Sequence, residues 1–127
     1  MSDAVTKGIR VSVKSEFLPE RSDPEQPLFF FAYHITITNE GEIPQTLVSR
    51  YWHITDSAGQ VEEGRGPGVV GYQPRLEKKQ SFHYTSFCPL RTEFGIMKGT
   101  YQMVNDNGEI FEAEIPSFHL VTPHAVN

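Results

Sequence analysis

Three glycines, Gly66, Gly68 and Gly71, stand in the spacing G-x-G-x-x-G inside the stretch EEGRGPGVVGYQP, residues 62–74. That spacing serves dinucleotide chemistry when the glycines close a strand and open a helix, whose N-terminal amides hold a pyrophosphate. The neighbours here argue against that use. Pro74 would fall within the first turns of the required helix, where only the first position suits proline. The following RLEKKQ is polar and too short for a crossover helix. The stretch therefore reads as a surface loop that turns sharply as the chain crosses between sheets, its glycines serving positive φ or close backbone approach. Two ligand classes fit such a loop. The favoured one is a protein partner, met by Gly66, Gly68, Val69, Val70, Gly71 and Tyr72. The alternative is an anion or nucleotide phosphate, held by Arg65, Arg75 and successive loop amides forming a nest. Residues 64–98 carry a net charge of +4 in a chain of net −5, which keeps the phosphate-bearing ligand in view.

Other chemistry is poorly served. Cys88 is the only cysteine and precedes Pro89 without a visible Cys/His pattern, so it reads as a packed thiol. Glu62 and Glu63 are adjacent, and adjacent strand residues point to opposite faces, which makes a poor acid–base pair. Of the five histidines, His34, His53, His83, His119 and His124, none has the spacing that puts two ligands on one face. His34 and His83 come to neighbouring outward positions if their strands pair, but two imidazoles without a third ligand make a weak metal site. The reading is no enzyme, no resident metal and no cofactor.

These side chains need a scaffold. At 127 residues the chain reads as one domain, residues 1–127, and its 15 aromatic residues can supply a packed core. The acidic balance argues against nucleic acid as a partner. No apolar run approaches the ~20 residues that span a membrane. A lone cysteine and an N-terminus without a signal-like apolar stretch point to a reducing compartment, the cytoplasm.

The dominant pattern has period two. Ile9, Val11 and Val13 share one face of a first strand, with Arg10, Ser12 and Lys14 on the other. Phe31, Tyr33, Ile35 and Ile37 share a face of the second, and Val48, Trp52 and Ile54 a face of the third. A short Ser57–Gly59 turn leads into QVEE. Phe82 and Tyr84, then Tyr101 and Met103, then Phe111, Ala113 and Ile115 follow on later strands, the last two joined through an Asn-Gly turn. About seven strands without βα alternation predict an all-β fold, an antiparallel Greek-key sandwich of immunoglobulin or fibronectin type III shape. Its expected core includes Ile35, Ile37, Trp52, Phe82, Tyr101 and Ile115. Tyr101, following Gly99 and Thr100, has the setting of a tyrosine corner, whose hydroxyl bonds back to the backbone.

Five segments occur in order: RYWHITD (residues 50–56), GxGVVGxQP (66–74), YTS (84–86), GxMxGxYxM (95–103) and IPxFxL (115–120). Together they resemble the bacterial ApaG family over nearly the whole chain. The resemblance implies a fibronectin type III-like sandwich. It also implies a protein-interaction role, since the same domain occurs in eukaryotic F-box proteins and a DNA polymerase-interacting protein. Family members are linked to cobalt and magnesium efflux, which for a chain without a membrane path implies an indirect role. The chain departs from the family pattern at Glu77–Gln80, where Pro-Gly is common, and at Phe87, where glycine is common.

Overall fold

The structure is a computed structural model and describes residues 2–123. Nine strands form two antiparallel sheets packed face to face: β1 Ser2–Thr6, β2 Ile9–Phe17, β3 Phe29–Asn39, β4 Gln45–Asp56, β5 Val61–Pro67, β6 Arg75–Leu76, β7 Ser81–Leu90, β8 Phe94–Asn105 and β9 Ile110–Val121. One sheet has the order β1-β2-β3-β7. The other has β5-β4-β8-β9, with β6 also pairing β4. A turn of 3-10 helix lies at Pro19–Arg21, and among the described residues no helix is long and apolar enough to cross a membrane.

The antiparallel sandwich matches the expectation, with nine strands rather than seven. The two additions are β1 and β6. β1 alternates weakly, and what places it is the Lys7-Gly8 turn, where both residues have positive φ. β6 is two residues long and pairs with β4 at Gln45 and Thr46. The fourth strand is also longer than QVEE. Its pairing with β4 runs from Val61 to Pro67, so Gly64 and Gly66 belong to a strand.

Alternation on β2 and β3 buries Ile9, Val11, Val13, Phe31, Tyr33, Ile35 and Ile37. The facing sheet contributes Leu47, Trp52, Met97, Tyr101, Met103, Ile115 and Leu120. Tyr33, Trp52 and Phe118 form an aromatic trio, with Tyr33 and Trp52 edge to face at a centroid distance of 5.3 Å. Ile35, Ile37, Trp52, Tyr101 and Ile115 are buried as expected. Phe82 is only partly buried, since it lies near the sandwich rim under the ring of Tyr72. Val48 is replaced in the core by Leu47, because a bulge at Val48 shifts the register against β8 and reverses the faces beyond it.

Tyr101 does not make the corner bond. Its hydroxyl pairs with that of Tyr84, which joins β7 of one sheet to β8 of the other inside the core. Asn39, 1% exposed, holds the crossing from β3 to β4. Its Nδ2 donates to the carbonyls of Ile43 and Leu76, and its Oδ1 accepts from Gly41 N.

The sandwich has unlike long sides. Along β1 and β9 the sheets are joined: Ser15 Oγ donates to His119 O, and Glu114 N donates to Thr6 Oγ1. Along β5 and β7 there is instead a cleft of about 270 Å³, with Tyr33, Trp52, Cys88 and Met97 in its lining.

Candidate functional site: the glycine loop and its arginine clamp

The loop begins where β5 ends. Gly68 N donates to Val48 O, which closes the β4–β5 ladder. Val69 and Tyr72 then exchange two backbone hydrogen bonds of 2.8 Å each. The central residues of that turn, Val70 and Gly71, have φ of 43° and 86°, the signature of a type I′ hairpin. The loop is a miniature hairpin standing on the edge of one sheet. The chain then returns to β4 through β6 and crosses to the other sheet only after Leu76. The expected sheet crossing thus lies beyond the glycines.

Within this hairpin the candidate residues separate. Val69 is fully buried in the main core, while Val70 is 51% exposed and Tyr72 62%. Val69 is therefore closed to a partner, contrary to the expectation that both valines are offered together, whereas Val70 is open to solvent. A two-residue turn makes the difference, since its first strand position packs inward and its tip cannot. Gly68 has φ 59°, and a Cβ on it would collide with the Tyr72 carbonyl, so only glycine fits there.

Arg50 organises the base of the loop. It shares the inward face of β4 with Trp52, opposite Gly66. Its Nη1 donates to both Pro67 O and Gly68 O at 2.9 Å. The guanidinium occupies the space beside Gly66 that a side chain would need. The two carbonyls accept charge-assisted hydrogen bonds from a half-buried arginine. Sequence reading passed over Arg50. The available signal was a lone arginine at an inward position between Val48 and Trp52.

The two arginines proposed for an anion have other company. Arg75 Nη2 donates to Asp106 Oδ2 at 2.6 Å, and its Nη1 to Glu77 Oε1 at 3.3 Å. That arginine holds the Asp106 carboxyl below its ordinary pKa. Arg65 stacks on Tyr51 with its guanidinium carbon 4.3 Å from the ring centroid. Three loop amides, those of Gly68, Val69 and Tyr72, already donate within the protein.

The two histidines weighed as a metal pair have other partners. His34 bonds Thr85 and Glu16, and His83 bonds Thr36, on the outer face of β3 and β7. These two strands pair as expected. His124 lies outside the described residues. Among the described residues, no three His, Cys, Asp or Glu side chains are placed to hold a metal. Cys88 is 4% exposed, and burial pushes its thiol up to about 12.

A family model described as the ApaG domain matches residues 19–105. The chain belongs to the ApaG family. It is 54% identical to the ApaG protein of Anaeromyxobacter dehalogenans (strain 2CP-1), with all of both chains covered. Identity to the ApaG protein of Dechloromonas aromatica is also 54%, again over both full lengths. A crystal structure of the ApaA protein from Bordetella pertussis superposes with a TM-score of 0.87 at 47% identity, covering 95% of each chain. The sandwich and its loop thus sit on a framework shared with other ApaG proteins.

Proposed function

We propose that this protein is a non-enzymatic binding module of the cytoplasm that docks a protein partner on the tip of the glycine hairpin. The observation that carries this reading is Val70. It is a β-branched residue at φ 43°, and its side chain is half exposed. Such a conformation costs about 1–3 kcal/mol, and glycine would make the same turn without that cost. The strain presents an apolar group to solvent, and burial against a partner recovers its apolar area. Val69 and the Arg50 clamp hold the tip in place, so docking loses little conformational freedom. In this reading the link to cobalt and magnesium efflux suggested by the family resemblance runs through the partner. A phosphate-bearing ligand is the less favoured reading, because Arg75 and three of the loop amides are already engaged.

The test compares three baits in capture from lysate: the parent, Val70→Gly and Val70→Asp. Val70→Gly relieves the strained φ and should melt no lower than the parent. Val70→Asp should melt within a few degrees of it, because the tip is exposed. Both should lose a partner that the parent retains. Equal capture by all three would remove the hairpin tip as the docking site.

A further inference from the structure

The free edge of β5 matches itself. Among the described residues, β5 pairs with β4 on one side and is the terminal strand of its sheet on the other. The direction of its backbone groups follows from the two ends of the ladder. Asp56 N donates to Gln60 O, and Gly68 N donates to Val48 O. Both pairs lie in the register that matches Trp52 with Gly64. In an antiparallel ladder, bonded pairs alternate, so the even-numbered residues of β5 turn their amides and carbonyls toward β4. Val61, Glu63, Arg65 and Pro67 turn theirs outward. Pro67, which has no N–H to offer, occupies an outward position, as prolines of edge strands do.

We propose that this edge pairs with the same edge of a second copy of this chain, antiparallel, about a two-fold axis through Gly64. In that register Glu63 lies opposite Arg65 of the second copy, and symmetry repeats the pair. Both residues are exposed on the outer face and are held by Tyr51. The Tyr51 hydroxyl donates to Glu63 Oε2 at 3.0 Å, and the Arg65 guanidinium lies over the Tyr51 ring. Charges on an edge strand normally discourage pairing. Here they reject every near alternative. A slip of two residues sets Glu63 against Glu63 or Arg65 against Arg65, and a slip of one breaks the hydrogen-bond alternation.

Gly64 suits the axis. The pair there is of the close, non-hydrogen-bonded kind, with Cα atoms about 4.5 Å apart. Its inward side is open, since a Cβ on Gly64 would meet nothing within 4 Å. A seven-residue edge covers less than the ~1,200 Å² of a standard interface, so the dimer is weak and concentration-dependent. This inference does not rest on what the hairpin tip binds.

Sedimentation velocity of the full chain at low salt, from about 10 µM to about 1 mM, tests it. The parent should gain mass with concentration. Glu63→Arg alone and Arg65→Glu alone each oppose like charges twice and should weaken association about tenfold or more. The double variant, with both changes, should restore it. An equimolar mixture of the two single variants should also associate like the parent, because their edges are complementary. Thermal melts check that each exposed substitution leaves the fold intact. A parent that stays monomeric to about 1 mM overturns the proposal and leaves the edge to a strand of another protein. Single variants that associate as the parent does overturn it as well, by placing the contact elsewhere.

Discussion

Arg50 fills the place of the side chain that Gly66 lacks. A Cβ built on Gly66 would stand 2.7 Å from Arg50 Nη2 and 2.9 Å from Cζ. A methyl group at residue 66 would press on the guanidinium that is bonded to Pro67 O and Gly68 O.

Two glycines of one strand should therefore respond oppositely to alanine. Gly66→Ala displaces the guanidinium from its carbonyls and should cost about 2 kcal/mol, the scale of a hydrogen bond to a charged group. Gly64→Ala adds a methyl where nothing lies within 4 Å, and should be neutral or stabilising by about 0.5 kcal/mol. Urea melts of the two variants at low protein concentration check both. Equal costs would mean that Arg50 moves aside freely.

Alkaline pH should unfold the protein earlier than its acidic composition suggests. Burial raises Tyr84, Tyr101 and the Cys88 thiol above their ordinary values, the thiol to about 12. In the unfolded chain the thiol ionises near 8.5 and the phenols near 10. Above those values the unfolded state binds fewer protons than the native state, so stability falls as pH rises. Stability should be level up to about pH 8 and then decline, with Cys88 alone contributing about 1.4 kcal/mol per pH unit between about 9 and 12. Cys88→Ala should flatten the first part of that decline in guanidinium titrations run at stepped pH. An unchanged slope would assign the decline to the tyrosines.

The turn from β6 to β7 carries a conformational cost that glycine would remove. Gln80 N donates to Glu77 O, and Lys79, third of the four residues, has φ 71°. Lys79→Gly should stabilise by about 1 kcal/mol, since the left-handed conformation costs a non-glycine residue about that much. A rise in melting temperature without a change in urea m-value is the expected record. A fall would show that the lysine side chain contributes more than its backbone costs.

The fold was legible because alternation is a direct image of a two-layer core. Ile35, Ile37, Trp52 and Ile115 each sit one residue from a polar neighbour, and each is buried. Legibility ended where period two breaks. The bulge at Val48 reverses the phase of β4, and no composition signal separates a bulge from a continuous strand. The hairpin posed the same difficulty: Val69 and Val70 are identical in type, and only a turn at positive φ sends one into the core and the other into solvent. Tyr101 was placed correctly in the core, but its partner, Tyr84, lies 17 residues away on the opposite sheet and is not implied by local spacing. Glycine reads as loop and so hides the length of β5, although a strand tolerates glycine where an arginine needs the room.

The unequal long sides of the sandwich bear on motion. Side-chain to backbone bonds from Ser15 and Thr6 tie the sheets along β1 and β9, whereas a cleft separates β5 from β7. Thermal opening should start at the untied side, at residues 61–63 of β5, the end remote from the Val69 and Arg50 anchors, while β2, β3 and β8 stay closed. In amide exchange, this is a low-energy sub-global opening set against a slow core. The hairpin that presents Val70 thus stays anchored by Val69 while the far end of β5 opens and closes.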